Sequence, residues 1–425
     1  MDVNNFKNKK IVIMGLGLQG GGVGAVNFFI KQGAKLLITD LRTEKELKPS
    51  LEKLRKVCDK PGLSFVLGRH RKQDFLKADL VIKNPGVPRE SPYLKIARKN
   101  NIPVKTDIDI FFDLCPGEII GITGTKGKST TATLIYLLLK KKYPDIVLAG
   151  NIGVSPLEIL NKINKKTKVV LELSSFELEN LKKSPQIALI TTLFPDHLNR
   201  YKNFKDYLEA KKSIFKYQNK KDILILNYNN PETKKLAEEA RSRVYFFKNS
   251  NIGAAVLVAE LFKISDNQIK NVLSKFKGVS NRQEIIAIKK GVRYINDTTA
   301  TTPDSVILAI ETFKKRFPDS RIILLAGGED KNLNYKELTK EIKKKVKCLV
   351  LLPGTASDKI RKELGSFFKE PSSFRARSMS QAVKKSSELA RKGDLVLLSP
   401  GAASFNLFDN EFDRAKKFIE AVRKI

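Results

Sequence analysis

Tryptophan is absent from this sequence, and histidine occurs only at His70 and His197. The three cysteines, Cys58, Cys115 and Cys348, lie far apart with no paired spacing. That pattern excludes a disulfide framework and reads as small buried or incidental thiols in a reducing cytoplasm. No run approaches the roughly 20 apolar residues that a bilayer span needs. The first ten residues, MDVNNFKNKK, are polar and lead straight into a strand pattern, unlike a signal peptide. Repeats of short period and low-complexity linkers are also missing. A cytoplasmic, monomeric protein without a membrane span is expected.

Charge of one sign is what the chain has in excess: 80 Lys and Arg against 45 Asp and Glu, a net +35. A basic surface could bind nucleic acid, or it could attract a strongly anionic small substrate. The lysines, however, sit at helix ends and on polar faces throughout, as in Lys140–Lys142 and Lys343–Lys345. No basic block is interleaved with stacking aromatics. Solvated surface is the favoured reading, anionic-substrate attraction the second, and nucleic acid the last.

At 425 residues, the chain is long enough for about two to four domains. Nearly continuous apolar runs recur at Ile11–Met14, Leu36–Thr39, Leu80–Ile82, Ile119–Thr123, Val169–Leu173, Ile187–Thr192, Ile223–Leu226, Ile322–Leu325, Leu349–Leu352 and Leu395–Leu398. Helix-length amphipathic stretches, such as Thr130–Lys142 and Tyr207–Tyr217, lie between them. This is the signature of parallel strands covered on both faces, hence doubly wound α/β. The alternation falls into three blocks, 1–106, 107–278 and 279–425, the last opening with a possible hairpin of Glu284–Ile288 and Val292–Ile295.

The second block begins with TGTKGKST, Thr123 to Thr130, after the strand Ile119–Thr123 and before a helix starting near Lys128. A triphosphate needs inward-facing backbone amides, a positive helix end, a lysine for the β- and γ-phosphates and a hydroxyl for Mg²⁺. Gly124, Thr125, Lys126, Gly127 and Thr130 shape such a loop, and Lys128 and Ser129 supply the cation and the hydroxyl. The glycine spacing is two residues tighter than the general pattern, which would place glycine at Ile122.

A second glycine turn, Gly15-Leu-Gly-Leu-Gln-Gly20, follows the first strand, and Asp40 ends the next one. This is a dinucleotide fingerprint in its usual context. It would suit NAD, or the pyrophosphate of another nucleotide such as UDP. Asn84-Pro85-Gly86 follows the third strand and should face the same crevice. In the middle block, Glu172 ends an apolar strand and should point toward the phosphate loop as a Mg²⁺ ligand. Asp196-His197 occupies the corresponding place after the next strand, where His197 is a site candidate. His70, in GRHRK, reads as surface.

Together, TGTKGKST, AGNIG (149–153), LELSSFELE (171–179), DHLNRY (196–201), YLEAKKSIF (207–215) and NDTTAT (296–301) resemble the Mur ligase family over nearly the whole chain. The branch that adds D-glutamate is the nearest in pattern, through GLGLQG, LELSSFELE and AGGEDKN (326–332). The resemblance implies a three-domain fold: a Rossmann-like domain, a P-loop ATPase domain with a mostly parallel sheet, and a second Rossmann-like domain. It implies a cytoplasmic ligase of peptidoglycan precursor synthesis that uses ATP, UDP-N-acetylmuramoyl-L-alanine and D-glutamate. Lys128, His197 and Lys211 would be catalytic. Ser129 and Glu172 would hold one Mg²⁺, with His197 and Lys211 at a second. Lys211 would be carbamylated by CO2. Adenosine would lie by Asn251, Arg282 and Asp297. The UDP substrate would meet Leu18, Gln19, Asp40, Arg42, Asn84, Gly86 and Asn151, and D-glutamate would meet Thr301, Lys331, Ser404 and Phe405.

Two departures concern the third block. Thr299 stands where the family pattern has lysine, and Ala415 replaces a glycine in a C-terminal signature that reads SPGAASFNLFDNEFDRAKKF here. Phe408 and Phe412 in that stretch are expected to pack rather than line a pocket. Other readings are a sister ligase with another amino acid, a folate polyglutamylating enzyme, a nicotinamide oxidoreductase and a basic P-loop nucleic-acid protein. The first glycine turn argues against the folate enzyme, and TGTKGKST against the oxidoreductase.

Overall fold

Apolar runs too long for a half-exposed strand become strands buried on both faces, and the amphipathic segments between them become the covering helices. In a computed structural model, which describes residues 6–18, 20–57, 60–198, 200–248, 250–369, 373–404 and 407–425, they form three sheets. The first holds β1 (Lys10–Met14), β2 (Lys35–Asp40), β3 (Leu63–Leu67), β4 (Leu80–Lys83) and β5 (Val104–Lys105), all parallel, in the order β3-β2-β1-β4-β5. The second holds β6 (Glu118–Thr123), β7 (Ile146–Gly150), β8 (Lys168–Glu172), β9 (Ile187–Ile190), β10 (Ile223–Asn227) and β11 (Arg243–Phe247) in the parallel order β11-β10-β9-β6-β8-β7. The third holds β12 (Glu284–Lys289), β13 (Val292–Asn296), β14 (Ile322–Ala326), β15 (Val346–Leu351), β16 (Ser373–Arg375) and β17 (Leu395–Leu398), in the order β12-β13-β17-β14-β15-β16. There β12 and β13 form the expected antiparallel hairpin and the other pairs are parallel.

Every interior strand was legible in the sequence. The strands without an expected counterpart are β3, β5, β7, β11 and β16, and each lies at a sheet edge. An edge strand has a neighbour on one side only. Its sequence can therefore carry polar residues, as in LSFVL and RVYFF, and lose the continuous apolar signal; β7, IVLAG, keeps that signal and was nonetheless not anticipated.

In the third sheet, alternate residues serve two cores. Ile322, Leu324, Leu395 and Leu397 pack with Ala356 and Ile360 on one face. Ile323, Leu325, Val396 and Leu398 pack with Met379, Val383 and Phe418 on the other.

The chain divides into two units. One runs to Leu193 and includes Leu208–Lys275, and so contains the first two sheets. The other combines Phe194–Tyr207 with Phe276–Ile425. Within the first unit the helix Gly21–Lys31 lies against the short helix Pro156–Ile159. Gly24 is so close to Ser155 that a Cβ would collide with its Oγ. Asn27 Nδ2 donates to Glu158 Oε1 at 3.3 Å. These contacts fix the first sheet against the second.

Candidate active site

The phosphate-type loop begins where β6 ends. Gly127 caps the helix Lys128–Leu139 in a left-handed conformation, φ 87°, with no side-chain cap. A helix that starts this way turns its first amides and its positive end toward a bound anion. A Cβ on Gly124 would collide with Thr191 Oγ1, and one on Gly127 with Asn251 Oδ1. Both glycines are therefore demanded by close approach as well as by φ. Thr125 N donates to Thr192 O at 2.6 Å, and Lys126 N to Thr192 Oγ1 at 3.2 Å. The hydroxyls of Thr191 and Thr192 both donate to Lys126 O. This threonine pair, which braces the loop, was missed in the sequence. Its signal was two hydroxyls closing the apolar run IALITT.

Lys128 folds back over the loop, its Nζ donating to the carbonyls of Gly124 (3.0 Å) and Thr125 (3.1 Å). Ser129 Oγ donates to Glu172 Oε2 at 2.6 Å, and Asn151 Nδ2 donates to Glu172 Oε1 at 3.3 Å. Sheet register explains the pairing, since Glu172 of β8 lies opposite Ile122 of β6, at the root of the loop. Glu172 is fully buried, and among the described residues no Lys, Arg or His pairs with it. A buried carboxylate bonded to neutral donors calls for a cation. Among the described residues no three His, Cys, Asp or Glu side chains form a metal cage. Mg²⁺ suits such a site, because it takes one or two carboxylates and completes its shell with phosphate and water oxygens. Lys211, on the helix Phe204–Lys216, is also buried, with Nζ donating to Thr123 Oγ1 (3.2 Å) and Gly124 O (2.9 Å). Thus Lys128, Ser129, Asn151, Glu172, Lys211 and Asn251 surround one loop.

The first glycine turn has the crevice geometry. Strand order changes direction between β1 and β4, and ligands of such sheets bind outside the strand ends at that point. Gly20 caps the helix Gly21–Lys31 at φ 94°. Asn84 lies against Gly15 and Gly17, and its Oδ1 accepts from Gly86 N at 3.0 Å. Asp40 accepts from Gly17 N (3.1 Å) and Arg42 N (2.9 Å), so it braces the turn. Leu18 is half-buried within the turn, and Leu41, beside Asp40, is 67% exposed. Gln19 lies outside the described residues. His70, expected at the surface, is instead half-buried. It lies 2.7 Å from Thr39 Oγ1 and edge-on to Phe75 and Tyr93, and burial lowers its pKa despite Asp40.

In the second unit, the Asp297 carboxylate accepts from Ser399 Oγ at 2.9 Å and from the amide of Gln283, the residue after Arg282, at 3.2 Å. His197 follows Asp196 at φ 54°, with Nε2 3.6 Å from Asp196 Oδ2. Lys331 Nζ donates to Asp196 Oδ1 (2.9 Å) and Thr301 Oγ1 (3.1 Å), which brings three expected site residues and Asp196 into one cluster. Ser404 is buried, while Phe405, next to it in sequence, lies outside the described residues. Thr299, at the lysine position of the pattern, donates to Asn281 O at 3.2 Å. Phe408 packs in the core as expected, but Phe412 does not. It is 56% exposed at the start of the helix Glu411–Arg423.

Three family models match successive parts of the chain. The Mur ligase MurD-like N-terminal domain matches residues 9–106, the Mur ligase middle domain 122–288, and the Mur ligase glutamate ligase domain 281–401. A protein of Roseiflexus sp. strain RS-1 is 38% identical, over 96% of this chain and 97% of its own length. The chain belongs to the Mur ligase family. That Roseiflexus protein and a Borreliella afzelii strain PKo protein, 38% identical over 99% of both chains, are each named UDP-N-acetylmuramoylalanine–D-glutamate ligase. The MurF ligase of Thermotoga maritima, solved in complex with ADP, shares the fold at TM-score 0.61 and 16% identity, over 100% of this chain and 96% of its own. Mur ligases are ATP-dependent enzymes that form amide bonds. No helix among the described residues is long and apolar enough to cross a membrane.

Proposed function

We propose that the chain joins D-glutamate to UDP-N-acetylmuramoyl-L-alanine while ATP becomes ADP and phosphate, a cytoplasmic step of peptidoglycan precursor synthesis. The observation that carries this reading is near-full-length identity of 38% to relatives of that name. The geometry around the phosphate loop supports it chemically.

The alanyl carboxylate attacks the γ-phosphate, giving an acyl phosphate and ADP. The amine of D-glutamate then attacks the acyl carbon, and phosphate leaves. Two anions must meet in the first step, so neutralisation of charge decides the rate. A divalent cation held by Ser129 and Glu172 would supply part of that charge, and Lys128 the rest at the transferred phosphoryl group. Asn151 would face the muramoyl-alanine end. Lys211 is proposed to be carbamylated. The neutral amine is the form that attacks CO2. The product is an anionic ligand for a second cation, for which His197 is the other proposed ligand. Asn251, Arg282 and Asp297 are proposed for adenosine. Leu18, Gln19, Asp40, Arg42, Asn84 and Gly86 are proposed for the UDP end, and Thr301, Lys331, Ser404 and Phe405 for D-glutamate.

The test is phosphate release from ATP with UDP-N-acetylmuramoyl-L-alanine and a panel of amino acids. Release confined to D-glutamate is expected. Equal release with L-lysine, meso-diaminopimelate or glycine would overturn the assignment.

A further inference from the structure

Arg414 is the bulkiest fully buried side chain among the described residues, and none of its hydrogen bonds there goes to an acidic side chain. It rises from the helix Glu411–Arg423 and reaches two loops at the C-terminal edge of the third sheet. Nε donates to Thr298 Oγ1 at 3.0 Å and Nη2 to Thr298 O at 2.7 Å. Nη1 donates to Ala402 O at 3.2 Å. Thr298 Oγ1 in turn donates to Glu411 O at 3.0 Å, which closes a ring between the helix and the loop after β13. Burial draws the guanidinium pKa down to about 10, against the pull of Glu411, so the group stays charged near neutrality.

Taking a cation out of water is costly, and neutral oxygens return less than a carboxylate would. A core needing only bulk here would be served by an apolar side chain. What an arginine adds is a rigid fork that bridges two backbone segments at once. Those segments carry Thr301 and Ser404. Gly401 N donates to Ala300 O at 2.7 Å, so a backbone bond also joins the loops directly. Asp297 has separate anchors in Ser399, Gln283 and the backbone of Leu398.

We propose that Arg414 is a positioning residue that sets the spacing between Thr301 and Ser404, and through it the fit of the incoming amino acid, while leaving the Asp297 side of the same loop largely unaffected. The proposal rests on the D-glutamate assignment above.

The experiment compares the full-length enzyme with Arg414→Met, Arg414→Lys and Thr298→Val. The wild-type enzyme is first assayed with the amino-acid panel, so that failure of D-glutamate as acceptor overturns the function separately. For the acceptor the wild type uses, Arg414→Met should raise KM by about 10-fold or more, as loss of charged hydrogen bonds implies, with KM for ATP changed less than about 2-fold. Arg414→Lys, which keeps the charge but not the fork, should recover part of the loss. Thr298→Val, which removes one arm only, should give a smaller shift of the same kind. Hydrogen exchange should rise at 298–301 and 401–404 and stay unchanged at 322–326. If Arg414→Met does not fold, the Thr298→Val result decides. Equal rises in both KM values, or an unchanged KM for the amino acid with faster exchange everywhere, would show a merely structural arginine and overturn the proposal.

Discussion

The molecule contains two strand–glycine–helix junctions that are nearly alike in backbone and different in chemistry. Both helices, Gly21–Lys31 and Lys128–Leu139, start after a left-handed glycine and lack a side-chain cap, so both turn backbone amides and a positive end toward the strand tips. After that glycine the first junction reads Gly-Gly-Val and the second Lys-Ser-Thr. At the first, the nearby carboxylate, Asp40, is bonded to backbone amides of its own turn. At the second, Glu172 is bonded to Ser129 and Asn151, with Lys128 and Lys211 on the same loop. Glycine spacing thus sets up an anion-binding geometry. Under the proposed function, the two residues that follow separate a junction that holds a phosphate from one that transfers it.

The sharpest way to break this contrast is Lys128→Ala. It removes the cation while leaving the glycines and their amides intact, and should lower kcat by about 10³-fold or more, as loss of a charge aimed at the transition state implies. Phosphate release under saturating substrates measures it. Retention of turnover would mean that the second junction only holds its nucleotide, like the first. Lys211→Ala should cost nearly as much, and a short-chain carboxylic acid should restore part of the rate by standing in for the carbamate. If the rate returns with a short-chain amine instead, the lysine acts as a cation and the carbamate reading is wrong.

At the first junction the effect should be smaller and of another kind. Arg42→Ala should raise KM for the UDP substrate about 10-fold with kcat little changed, because a group that binds ground and transition states alike alters only KM. A fall in kcat with KM unmoved would erase the division of labour between the junctions.

The same contrast explains what the sequence disclosed. Glycine, lysine and serine at fixed spacing between a strand and a helix can be read locally, and so can interior strands such as IIGIT and LVLL. Of the edge strands only β12 could be read, through its hairpin with β13; the others went unread, most of them because one-sided pairing lets polar residues interrupt the pattern. The Thr191–Thr192 brace and the Arg414 fork escaped for a different reason. Their partners lie tens of residues away, so the hydroxyls closing IALITT and the arginine before Ala415 could be noticed in the sequence while what they bridge could not. Phe412 escaped in the opposite sense, since its apolar side chain suggested packing where the start of a helix leaves it exposed.

The smallest predicted effect lies at the seam between the junctions. Asp107 Oδ2 is 3.4 Å from the Cβ position of Gly21, the first residue of the first helix. Glu177 lies in the turn after Glu172, with Oε2 accepting from Ser174 N (2.7 Å) and Oγ (2.6 Å). Burial, helped by the Asp107 charge, raises the Glu177 pKa to about 8, and burial raises that of Asp107 to about 6 against the pull of Lys83. A carboxyl whose pKa rises on folding binds its proton more tightly in the native state. Its stabilisation is complete below the unfolded value, near 4.5 for Glu177, and is lost as pH climbs through about 8. Thermal stability of the wild type should therefore fall between pH 5 and about 8.5, by a few degrees for a chain of this size. Glu177→Gln keeps a carbonyl for the Ser174 bonds and cannot ionise, so its melting curve should flatten over that window and meet the wild type near pH 5. Parallel curves for the two proteins would mean that Glu177 is already ionised in the folded state, and that the seam tolerates two neighbouring negative charges beside the helix end at Gly21.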